Sequence, residues 1–197
     1  MGNGSWANTT LPYSKNIDIL AAPGAPDRNL FDEDFNVPNA KLNMAYNGLL
    51  HDYSASAVNS PSQLPMLTEA QGNMNVLAYA YSNPYLECDD SSQPCHYVPS
   101  SPTCDGSNGT YSGMFTADAS MWVYGNGQNV VFSDSSAKFR KLGGNINGKT
   151  DYRTDFYSAY DAQGKPTGQW QDTNFCHALL FQPDFDFQNF GTPVEWK

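Results

Sequence analysis

GMFTADASMWVYG at residues 113–125, NVVFSDSSAKFRK at 129–141, DYRTDFYSAY at 151–160 and GQWQDTNFCHALLF at 168–181 decide the fold class of this chain. Apolar and polar residues alternate through each stretch. A period of two marks a half-buried strand, because successive side chains point to opposite faces of a sheet. The links between stretches are short and rich in glycine and asparagine. Gly125-Asn126-Gly127 suits a tight hairpin with positive φ, Gly143–Gly148 is longer, and 161–168 is an ordinary loop. Four such strands in succession predict an antiparallel meander inside an all-β domain, a β-sandwich or a small β-barrel.

Outward from the meander, a second strand is expected at Asn75–Tyr81, apolar on both faces and therefore covered. One short helix is expected over Asn39–Tyr53. Leu42, Tyr46, Leu49, Leu50 and Tyr53 recur there at helical spacing, and Asn39 is placed to cap the N-terminus. Residues 54–67, with Pro61 and Pro65, read as a polar link. Residues 1–38 show no sustained period, and Pro12, Pro23, Pro26 and Pro38 interrupt any helix, so they read as an extended N-terminal arm with a short edge strand at Ile17–Leu20. Residues 39–197 then form a single β domain carrying a cysteine-bearing loop at 85–110. Phe185, Phe187 and Phe190 give the tail a final strand or docked arm.

The chain of 197 residues is long enough to bury a core without metals or cross-links. It is 40% hydrophobic and 14% aromatic, which excludes an intrinsically disordered chain. Twenty acidic against ten basic residues give a net charge of −10. That field repels polyanions, so nucleic-acid binding and adsorption to an anionic membrane are not expected. No apolar run approaches the ~20 residues that span a bilayer, so membrane insertion is not expected. The N-terminus carries no basic start followed by an apolar segment, so it reads as a mature or leaderless chain.

Cys88, Cys95 and Cys104 share one loop and Cys176 lies in the last meander strand. Four cysteines allow three pairings. One pair within the loop plus one tie to the strand would staple the loop to the sheet. Free thiols are the alternative; a zinc site lacks any C-x2-C pair. A charged-residue content of only 15%, abundant Asn and Ser, and sequons at Asn3, Asn8 and Asn108 are compatible with an extracellular protein or one on a virion or cell surface.

Two strand faces carry candidate ligand-binding residues. Asp118, Trp122 and Tyr124 share one face of the first meander strand, and Trp170, Asp172 and Asn174 share one face of the fourth. Aromatic rings stack on the C–H faces of sugars, while carboxylates and amides take up hydroxyls. The plainer reading is packing under neighbouring loops. His177 falls in an apolar row with Phe175, Leu179 and Phe181 and reads as a satisfied core histidine. Asp151, Arg153 and Asp155 read as a surface charge ladder.

Catalytic signatures are missing. Asp32–Asn36 begins like a calcium loop but lacks the turn glycine and final glutamate. His51, His96 and His177 have no metal-ligand spacing, and neither a serine elbow nor a phosphate-cradling loop occurs. No metal and no cofactor is expected. The residues favour a non-catalytic extracellular binding module for a glycan or another polar, neutral ligand. A structural subunit of a virion, fibre or filament is the first alternative, self-assembling through the N-terminal arm and C-terminal tail. A carbohydrate-active enzyme with Asp118 and Asp172 as paired carboxylates is the second.

Overall fold

The computed structural model describes residues 10, 12–20, 44–69, 86–87, 93–99, 127–141, 150–155, 157–160, 162, 166–172, 177–188 and 194–196. Within them the chain is β-rich and antiparallel, with almost no helix. Strands β1 (Met44–Tyr46), β2 (Pro65–Glu69), β3 (Gly127–Phe132) and β4 (Ala137–Lys141) form one sheet in that order. A second sheet joins β5 (Ala159–Tyr160), β6 (Pro166–Gln171) and β7 (Val194–Trp196), with β6 in the centre. Val130 and Phe132 from the first sheet share a core cluster with Tyr160 and Trp170 from the second.

The expected second meander strand is a hairpin. Alternation holds through β3, where Gln128, Val130 and Phe132 are buried and Asn129 is exposed. At Ser133–Ser136 the chain reverses: the Asp134 carboxylate accepts the Ser136 N–H at 2.9 Å, and Ser135 adopts φ 67°. An Asx-type hydrogen bond supplies what a glycine would otherwise supply. The tip is anchored where Ser133 N donates to Leu64 O and Asp134 N to Pro61 O. Gly127 opens β3 because a Cβ there would strike the Arg140 carbonyl and the Phe139 ring.

The helix expected over 39–53 is not formed in its described part. Residues 44–46 are a strand and Gly48–Leu50 a single 3-10 turn. Asn47 accounts for the break. Its Oδ1 accepts the Leu49 N–H, and its Nδ2 donates to Pro65 O and Phe181 O at 3.0 and 2.9 Å. A buried amide satisfied three ways by backbone outweighs the helical spacing around it. The link at 54–67 ends in β2 rather than in coil. Ile17–Leu20 is a 3-10 turn instead of an edge strand, with Asn16 Oδ1 accepting the Asp18 N–H.

The third expected strand is mostly a turn. Asp151 O accepts the N–H groups of Thr154 and Asp155, and only Ala159–Tyr160 pairs as strand. The fourth stops at Gln171, which bridges back to Ala178, and Leu179–Phe181 continues as a 3-10 turn. In the tail Phe185 and Phe187 are buried edge-to-face at 4.5 Å, and β7 pairs with β6. The expected strands at 75–81 and 113–125 lie outside the described residues, as do 1–9, 11 and 21–38 of the expected arm and 39–43 of the expected helix; of the loop expected at 161–168, residues 166–168 belong to β6. Cys88, Cys104 and Cys176 lie outside the described residues too.

Candidate functional site

The reversal after β6 gathers the polar groups with the best-defined geometry. The Gln171–Ala178 bridge and the Asp172 N–H donated to His177 O at 3.1 Å bring the two segments together as a neck. Side chains of the two neck residues therefore face each other. Asp172 Oδ2 accepts from His177 Nδ1 at 2.9 Å and from Gln182 Nε2 at 3.4 Å. His177 is 1% exposed and the Asp172 side chain 14%. The Asp172 side chain keeps a small exposure while its partner is sealed in.

A row of rings leads away from this pair. Tyr97 meets the His177 ring edge-to-face at 4.9 Å, and Tyr53 meets Tyr97 at 6.0 Å. Such pairs add to the area they bury because ring edges and faces carry opposite partial charge. Tyr97 Oη donates to Asp184 Oδ1 at 2.7 Å. Asn59 fixes that segment by donating its Nδ2 to Asp184 O at 2.7 Å and its backbone N–H to Pro183 O. Burial pushes the Tyr97 phenol well above its ordinary value, and the neighbouring Asp184 carboxylate pushes in the same direction. Tyr53 is raised for the same two reasons, burial first. Both phenols are hydrogen-bond donors at neutral pH.

Of the residues singled out in the sequence, Asp172 stands in this cluster. Trp170 does not: it is buried, donates Nε1 to Thr150 Oγ1 at 3.2 Å and packs on Tyr152 at 6.1 Å. Its indole thus presents little surface to a ligand. Asp118, Trp122, Tyr124 and Asn174 lie outside the described residues. His177 is a satisfied core histidine, as its apolar row implies. Asp151 and Arg153 pair on the surface through Nε–Oδ1 and Nη2–Oδ2 contacts of 3.0 and 2.8 Å. Asp155, however, is buried, and its charge acts on the half-buried Arg140, so it leaves the surface ladder.

Tyr53, Tyr97, Gln182 and Asp184 escaped the sequence reading. Asn59 and Asp184 are 125 residues apart, and no spacing announces such a contact. Alternation in the segment 95–97 carried the one usable signal, since it sets Cys95 and Tyr97 on one face. Among the described residues no group of His, Cys, Asp or Glu is arranged to hold a metal. No described helix is long and apolar enough to cross a membrane. No protein-family model, curated protein or solved structure matches this chain.

Proposed function

We propose that this protein is a non-catalytic extracellular binding module for a glycan or another polar, neutral ligand, its two sheets packed as a sandwich or closed as a small barrel. One observation carries the reading: the slightly exposed Asp172 side chain is held by His177 and Gln182, and the ring row that starts at His177 and runs through the buried Tyr97 ends on the half-buried Tyr53. Immobilised acceptors beside aromatic rings suit polyhydroxyl ligands, whose C–H faces lie on rings and whose hydroxyls donate to carboxylates. Burial of His177 favours binding over catalysis, since a general base must reach the proton it takes.

The test is a glycan array probed with the native protein, Tyr53→Ala and Asp172→Asn. Binding that falls at least about tenfold, roughly 1.4 kcal/mol, in a folded variant supports the reading. A native protein that retains no glycan sinks it. Self-assembly is the second reading, favoured by Tyr13 and Ile19 at 88% and 61% exposure near the N-terminus. Deleting residues 1–20 would then shift the protein to smaller species in light scattering.

A further inference from the structure

We propose that the outer edge of β4 binds an extended acidic segment of a partner protein as a further strand of the first sheet. The sheet order is β1-β2-β3-β4, so β4 is one margin of it among the described residues. In an antiparallel pair, residues that exchange hydrogen bonds alternate with residues whose N–H and C=O point away from the partner. Phe132 N donates to Ser136 O at 2.8 Å, and in the same register Val130 pairs with Lys138 and Gln128 with Arg140. Those are the bonded pairs. Asn129 faces Phe139 between them, and its N–H turns away from β4 to Glu69 Oε2 at 2.9 Å. The N–H and C=O groups of Ala137, Phe139 and Lys141 therefore point outward. Among the described residues no strand pairs with them.

The side chains select what can fill that edge. Ala137, Lys138, Phe139 and Lys141 are exposed, and Arg140 is half-buried. A period of two sets Lys138 and Arg140 on one face and Phe139 and Lys141 on the other. Both cations of the first face lie over the Phe132 ring, 5.1 and 5.2 Å from its centroid. On the second face the Phe139 ring lies against Gly127 and still remains exposed. Three of the ten basic residues fall within 138–141, in a chain whose net charge is −10.

Lysines on an edge strand ordinarily keep another edge away. They do so against a second copy of β4, which would set Lys138, Arg140 and Lys141 against the same cations. A strand bearing carboxylates meets the opposite situation, because unlike charges directly across from one another attract. Phe139, in the middle, offers contact to an apolar residue between those carboxylates. Main-chain bonds give such strand addition its affinity, and alternate side chains give it selectivity. The negative charge of the rest of the chain does not forbid it, since exposed charges more than about 8 Å away are largely screened at physiological salt. The surface uses no residue of the Asp172 cluster, so it stands independently of what that cluster binds.

Fluorescence anisotropy with labelled peptides tests it on the full chain. The probe contains Glu-Glu-Val-Glu-Thr, which in antiparallel pairing sets Glu opposite Lys141, Arg140 and Lys138 and Val opposite Phe139. One control replaces each Glu by Lys. A second is N-methylated at Val, whose N–H would bond the Phe139 carbonyl. Saturable binding of the Glu peptide is expected, with none of the Lys peptide and at least about a tenfold loss on N-methylation. Phe139→Pro should lose as much, because it removes an outward N–H without removing a bond to β3; should that variant not fold, the N-methylated peptide decides alone. No saturable binding of the Glu peptide up to about 1 mM overturns the proposal. Equal binding of the N-methylated peptide overturns it too, since charge alone would then hold the peptide. Dimerisation of the native protein that Phe139→Pro abolishes would assign the edge to a second copy and overturn the acidic partner.

Discussion

Asp172 and Asp151 each hold a nitrogen-bearing side chain a few residues along the chain, at almost the same distance. Asp172 meets His177 at 2.9 Å and Asp151 meets Arg153 at 2.8 Å. Their surroundings differ completely. His177 and Asp172 are 1% and 14% exposed, whereas Arg153 and Asp151 are 58% and 41% exposed. Distance therefore does not rank the two pairs; access of water does. In the surface turn water replaces either partner when the other is removed, so the pair contributes little. Where Asp172 meets His177 the sealed ring cannot turn to water, so removal of one partner leaves the other to bear the loss.

The largest effect that sharpens this contrast is His177→Ala. It removes a sealed ring from contact with Tyr97 and takes a donor from Asp172. We expect a loss of about 3 kcal/mol, the range of buried ring deletions, read as a fall in the urea midpoint at unchanged slope. Asp172→Asn keeps an acceptor at the same place and should cost less. If His177→Ala costs no more than Asp151→Ala, burial is not what separates the two regions.

Tyr97→Phe gives a smaller and pH-dependent effect. It deletes the hydrogen bond to Asp184 and should cost about 1 kcal/mol at neutral pH. The alkaline limb is more diagnostic. Burial and Asp184 raise the folded phenol above the ordinary value of 10.0, so above that pH the unfolded chain releases a proton that the folded chain keeps. Stability is fully present below about pH 10 and declines as pH rises beyond it. Tyr97→Phe should flatten that decline in urea midpoints taken between neutral and strongly alkaline pH. An unaltered alkaline slope would mean that Tyr97 is not the group responsible.

The two regions also differ in how far they could be read in advance. The alternation expected of a strand is present in β3, because it depends on burial alone. It could not announce the turn at Ser133–Ser136, where Asp134 and a residue at positive φ do the work of glycine without being glycine. Asn47 defeated the helical spacing of 39–53 through partners at Pro65 and Phe181, the latter 134 residues away. Asp151 looked like a strand residue because side-chain period says nothing about a carbonyl that accepts two turn N–H groups. At the candidate site the sequence marked Asp172 by its face and His177 by its apolar row. The partners that give them geometry come from distant segments, and that part of the site exists only after folding.

Asp151→Ala is the smallest expected effect and closes the comparison from the other side. The Arg153 hydrogen bond holds the Asp151 carboxyl below the usual carboxylate range. A depressed carboxylate contributes stability that is present above its unfolded value and is lost as pH falls through the folded one. The direction is certain from the sign, but both side chains stand in water, which screens the gain. We expect Asp151→Ala to cost no more than about 0.5 kcal/mol at neutral pH and low salt. Raising the salt to about 1 M, where the screening length falls to about 3 Å, should remove most of that difference. The His177→Ala loss should survive the same salt, since ions do not enter a sealed contact. A salt-independent loss at Asp151 would instead assign its role to the backbone: its Oδ1 also accepts the Arg153 N–H at 2.9 Å, and the turn, not the ion pair, would be what the carboxylate maintains.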